Sequence, residues 1–175
     1  MRYRFCLIAV LGVLSLAVVA CGSSSNSSPT TSGAAAGTTA TTSTVHLAKT
    51  KFVLHAGLAF GAFHRWIYKP AKAGELTHPL QHKLTTLKAA LAAAFVYHEV
   101  KQALAAARGD PTLSKLVAPL DDLQSKLQSL VGSIKSGGAS PGDATGLDGI
   151  ISSIKDKASG AGQPITEQTP SSPSG

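Results

Sequence analysis

From Val45 onward the apolar residues return every three or four positions, and no stretch of the chain alternates apolar with polar side chains. A period near 3.6 belongs to helices and a period of 2 to strands, so this one regularity directs the body of the chain to an all-α fold. The clearest case is Leu113, Leu116, Leu120, Leu123, Leu127, Leu130 and Ile134, which draw a single stripe down one helix. Asp110-Pro111 in front of it reads as an N-cap followed by a first-turn proline. Pro119 is expected to kink or split that helix, and Gly137-Gly138 to stop it.

Two helices are expected ahead of it. Val45, Ala48, Phe52, Ala56, Ala59, Phe63, Trp66 and Ile67 share one arc of the first helix. Leu47, Leu54 and Leu58 fall on its other side, so Phe52 to Phe63 is apolar nearly all round, and Pro70 and Gly74 should end it. Gly57 and Gly61 form a small-xxx-small face that predicts close approach of the second helix. That second helix is expected to begin near Pro79, with Leu80, Leu84, Leu87, Leu91, Phe95 and His98 as its core stripe and Gly109 at its end. A shorter amphipathic piece over Asp143–Ala158 places Leu147, Ile150, Ile151 and Ile154 on one face. Together these predict a small antiparallel bundle, three helices plus a short fourth, over residues 45–159. The polar, proline-containing residues 160–175 read as a disordered tail.

The first 44 residues are of another kind. Arg2 and Arg4 precede Leu7–Ala20, a stretch interrupted only by Gly12 and Ser15, which is the pattern of a secretory signal peptide over residues 1–20. Its last residues, Val18-Val19-Ala20-Cys21, resemble the lipobox of bacterial lipoproteins. The resemblance implies cleavage before Cys21 and attachment of diacylglyceryl and a further acyl chain such as palmitate to that residue. It also implies a location on the extracytoplasmic face of the bacterial membrane, held in the cell envelope by the lipid anchor. Gly22–Thr44 holds seven Ser, seven Thr, four Ala and three Gly with no charge and no large apolar side chain. Such a composition cannot offset its ordering entropy by burial, so residues 21–44 are expected to be a lipidated cysteine with a flexible tether. Cys6 and Cys21 are the only cysteines, so neither a disulfide scaffold nor a four-cysteine zinc site is available.

Charge is distributed unevenly. Val45–Gly109 carries nine Lys or Arg against two acids, whereas Asp110–Gly175 carries five Lys against seven acids. The seven aromatics beyond Cys21 all lie between Phe52 and Tyr97. Basic, aromatic-rich helices fit an anionic lipid surface or envelope polymer, and Lys49, Lys51, Arg65, Trp66, Lys69 and Lys72 are the candidate contacts. An exported chain is not expected to meet nucleic acid despite its basic balance.

Chemistry finds little to work with. Gly138-Ala139-Ser140-Pro141-Gly142 matches the nucleophile-elbow pattern, but that mechanism needs a strand before the serine and none is expected here. His55 and His98 sit on or beside the stripes of the first two helices, the arrangement a helical carrier of haem or another hydrophobic ligand would need. His78 and His82 lack the third ligand a zinc ion requires, so no metal is assigned. Glu75 and Glu99 are the only acids before Gly109, which leaves no acid–base pair for catalysis. The sequence therefore reads as a lipid-anchored protein that acts by binding or as an adaptor. A ligand carrier is the second reading and an enzyme the third.

Overall fold

The computed structural model describes residues 38–175, with side chains from His46 onward. The expected signal peptide, Cys21 and the expected tether as far as Gly37 lie outside the described residues. Among the described residues there are four long helices and no strand: α1 (Thr38–Phe63), α2 (Lys83–Arg108), α3 (Ser114–Ser136) and α4 (Pro141–Gly160). One continuous core joins them, with α1 packed on α2, α2 on α3, and α3 on α4.

Helix α1 begins at Thr38, inside the segment whose composition suggests a flexible tether. No glycine or proline falls between Thr38 and Phe52. Adding residues to an existing helix costs far less than starting one, so weak helix formers are carried along by the packed helix behind them. At its other end the helix does not stop at Pro70. His64–Tyr68 forms one π-helical turn, in which the Lys69 amide reaches back to the His64 carbonyl, and Lys69–Lys72 continue the coil. A proline inside an α-helix clashes with the carbonyl four residues before it, and the widened turn sits where Pro70 would meet Trp66.

Three glycines then set the chain's reversals. Gly74, Gly137 and Gly162 have φ of 76°, 76° and 74°. Each is followed by the same pair of hydrogen bonds: Gly74 N–H to Ala71 and Glu75 N–H to Pro70, Gly137 to Ile134 and Gly138 to Ser133, Gly162 to Ser159 and Gln163 to Ala158. This is the Schellman arrangement, which ends a helix by satisfying its last carbonyls and needs the left-handed conformation glycine adopts freely.

The α3 stripe is the one the sequence predicts: all seven of its Leu and Ile side chains are buried. Asp110 caps the preceding 3₁₀ turn by accepting from Thr112 N–H at 2.8 Å. Pro119 does not split α3, which runs through it at the loss of one internal hydrogen bond. Helix α4 also keeps its expected face, with Leu147, Ile151 and Ile154 buried and Ile150 half-buried.

Helix α2 is rotated from expectation. It starts at Lys83 rather than near Pro79, because His78 to His82 form a turn in which Gln81 and His82 N–H bond back to the His78 carbonyl. Its buried face is Ala89, Ala92, Ala93, Val96, Val100, Ala103, Leu104 and Ala107, while the leucine stripe points outward. The partner surface explains the choice. Helix α1 brings Phe52, Phe60 and Phe63 to the shared core, all fully buried. Rings of that size fill the space between two helices when the facing positions are small, and interiors pack to crystal-like density only with that complementarity.

The C-terminal residues fold back onto α1. After Gly162 the chain runs back over α1, burying Ile165 and donating the Gln168 amide to the Gly57 carbonyl at 3.0 Å. Gly57 and Gly61 make room for this segment and not for α2. A Cβ on Gly57 would stand 2.5 Å from the Thr166 carbonyl oxygen, and one on Gly61 would overlap the Gln168 carbonyl. Helix α2 thus covers one side of α1 and the returning tail another, while Leu47 and Leu54 stay exposed.

Candidate functional site

Two places stand out once the helices are set: a charged cluster that fastens the tail, and the outward face of α2. The cluster centres on His64, the first residue of the π-helical turn. Its Nδ1 lies 2.6 Å from Glu167 Oε2 on the tail, and its Nε2 lies 2.7 Å from Asp148 Oδ1 on α4. Lys155 Nζ donates to the other Glu167 oxygen at 2.6 Å. Each ring nitrogen of His64 thus lies within hydrogen-bond distance of a carboxylate oxygen. Burial alone would raise the Glu167 carboxyl, but the hydrogen bonds from Lys155 and His64 and the attraction of their charges hold it below its ordinary value. Phe63 and Tyr68 wall the imidazole with edge-on contacts, their ring centroids 5.5 Å and 5.6 Å away.

This constellation ties α1, α4 and the tail together. The two nitrogens of an imidazole point apart, so the carboxylates on its opposite edges cannot share one ion with it. No group of three or more His, Cys, Asp or Glu suited to a metal occurs among the described residues. The sequence offered little sign of the cluster, because its members stand 84 and 103 residues from His64.

The histidines considered for haem are not brought face to face. His55 Nδ1 pairs with Glu99, which is buried on α2, at 2.7 Å. His98 is exposed on the outer side of α2. Beside His55 an open groove of about 420 Å³ runs between α1 and α2, bordered by Leu47, Lys51, Gln102 and Ala105.

The basic candidates on α1 are already engaged in part. Lys49 approaches the buried Asp110 carboxylate at 3.9 Å. Trp66 is half-buried, with its indole N–H enclosed, and the Arg65 guanidinium and Lys88 ammonium lie 4.9 Å and 5.8 Å from its ring centre. Lys72 stands 5.5 Å over the Tyr68 ring. Lys51 and Lys69 are exposed. Trp66 is thus packed beneath cations and does not project as an anchor. Ser140, from the nucleophile-elbow pattern, caps α4. Its Oγ accepts from Asp143 N–H at 3.2 Å, and Asp143 accepts from Ser140 N–H at 3.0 Å.

The surface that sequence reasoning assigned to the core is the one most exposed. Leu80, Leu84, Leu87 and Leu91 are 82%, 74%, 57% and 46% accessible, a row of large apolar side chains down the free side of α2 and the turn before it. Single exposed leucines are ordinary; here Leu84, Leu87 and Leu91 share one face of α2 and Leu80 precedes them in the turn, an apolar patch larger than scattered residues would make. No protein-family model matches the chain, and no curated protein or solved structure is significantly similar to it.

Proposed function

We propose that the protein is a lipid-anchored component of the bacterial cell envelope that works by binding, not by catalysis. On this reading residues 1–20 are removed and Cys21 carries the lipid. The four helices form a small antiparallel bundle at the extracytoplasmic face of the membrane. The observation that carries the binding role is the exposed leucine row of α2. The anchoring rests on Arg2, Arg4, Leu7–Ala20 and the lipobox-like Val18-Val19-Ala20-Cys21. The antiparallel arrangement is supported by the pairings His55 with Glu99 and Trp66 with Lys88, whose numbers run in opposite directions along α1 and α2. Several acyl chains hold a protein to a bilayer stably, at about 0.8 kcal/mol for each buried CH₂.

Mass spectrometry of the protein recovered from its native membranes tests the anchor. The expected N-terminal peptide begins at Cys21 and carries acyl groups, and Cys21→Ala abolishes both processing and modification. An unmodified peptide beginning at Gly22 or later would refute it.

A further inference from the structure

We infer that Leu84, Leu87 and Leu91 of α2 and Leu80 of the turn before it, with Lys83 and Lys88 beside them, form a docking face for an anionic lipid surface. This partner assignment rests on the reading of the protein as membrane-anchored. On α2 Leu84, Leu87 and Leu91 follow the 3-4 spacing of a coiled-coil seam, so a second copy of the chain is the obvious competitor. Charge decides between them. At 3.6 residues per turn, Lys83 and Lys88 stand roughly 70° to either side of the row, in the positions that flank such a seam. In a parallel pair Lys83 of one copy faces Lys88 of the other, and in an antiparallel pair centred on the row each lies on the same side of the seam as its own counterpart, about 7–8 Å away along the axis. Both arrangements bring ammonium groups together, whereas an anionic surface meets them with opposite charge.

The surroundings carry the same sign. Arg65, Lys69 and Lys88 border the adjoining groove, where Glu75 is the one carboxylate. Glu99, the other acid of this half, is buried and paired with His55. Among the described residues, Lys69, Lys72, Lys83 and Lys88 form no ion pair with an acid. Leucines flanked by lysines on one side of a helix form the amphipathic face that lies in a bilayer interface, with apolar tips in the acyl boundary and ammonium groups at the phosphates. Reach allows it. Cys21 to Thr38 spans at most about 55–60 Å of extended chain, against about 39 Å for the length of α1.

The test uses the full chain purified from its host membranes and reconstituted in vesicles. With Cys6 removed and Cys21 lipidated, Leu87→Cys supplies the single free thiol for a nitroxide label. Lys115→Cys, on the exposed side of α3, is the control. On phosphatidylglycerol–phosphatidylcholine vesicles, the label at position 87 should be more accessible to oxygen than to a water-soluble nickel complex. It should turn aqueous on pure phosphatidylcholine or in high salt, and the label at 115 should stay aqueous throughout. Lys83→Gln and Lys88→Gln should each lower the immersed-to-aqueous ratio about fivefold.

Equal nickel access at 87 on both vesicles overturns the inference, as does equal immersion on both. Spin–spin broadening at low surface density also overturns it, by seating a second copy on the row. Peptide mapping keeps the two readings apart: label found on Cys21 or Cys6 refutes the lipid anchor, while position 87 still reports on the leucine face.

Discussion

Gly61→Ala sets helix propensity against packing, and the two forces predict opposite signs. Alanine is favoured over glycine inside a helix by about 0.5–1 kcal/mol, so the substitution should stabilise α1 if nothing else touched it. The returning tail reverses the sign. The new methyl would overlap the Gln168 carbonyl and lie 2.9 Å from the Thr169 nitrogen, and both are backbone atoms that cannot swing aside. The tail must leave this stretch of α1. It takes with it the burial of Ile165, about 1.5–3 kcal/mol, and the Gln168–Gly57 hydrogen bond, about 0.5–1.5 kcal/mol. Release returns chain entropy, which offsets part of that loss, and the expected net destabilisation is about 1–3 kcal/mol. Gly132→Ala is the matched control: it lies within α3, and a Cβ there meets nothing within 4 Å. It should gain about 0.5–1 kcal/mol. Urea titration followed by far-ultraviolet circular dichroism reads both variants, and hydrogen exchange of residues 165–169 reads the tail directly. If Gly61→Ala stabilises as much as Gly132→Ala, the tail does not occupy that face and the account of α1 fails.

Leu127→Ala on α3 should cost about 2–5 kcal/mol because the side chain is fully buried. Leu91→Ala on α2 should cost less than about 1 kcal/mol, since nearly half of it already meets solvent; equal losses in a melting comparison would return the leucine row to the core. The Glu167 carboxyl is held below its ordinary 4.5, so its ionic fastening of the tail is complete above that pH and weakens as pH falls through the lower value of the folded chain. The Gln168 amide resonance, which reports the bond to Gly57, should follow that loss in the wild type. In Glu167→Gln, a Gln168 amide that still follows the same titration would show that another group governs docking.

How much could be read from the sequence depended on side-chain size. On α3 the stripe was legible because every core position is Leu or Ile, and the opposite face is polar. On α2 the same reasoning selected the wrong side. Leucine outweighs alanine on any hydrophobicity scale, yet a helix facing three phenylalanines needs small residues, and that requirement belongs to the partner helix. The placement of the tail against α1 went unread for a related reason. Residues 163–175 hold one large apolar side chain, Ile165, and a single charge, Glu167, so composition indicates disorder. Its docking depends on groups supplied by α1 and α4: the glycine-lined channel, His64 and Lys155. The Gly57-Gly61 pair did announce that some backbone would come close, but not which.

The tail's return to α1 has a mechanical consequence. A pull applied at Thr38 runs along the axis of α1, which is gripped on one side by α2 and on another by residues 165–169. To slide, α1 must disengage Phe52, Phe60, Phe63 and Ile67 together, and must drag the glycine channel past the Thr166 and Gln168 carbonyls. The load is therefore borne in shear across many contacts at once, whereas a pull at Gly175 would peel the tail away one residue at a time. The two ends of this domain should differ in the force they withstand, with the N-terminal end the stronger.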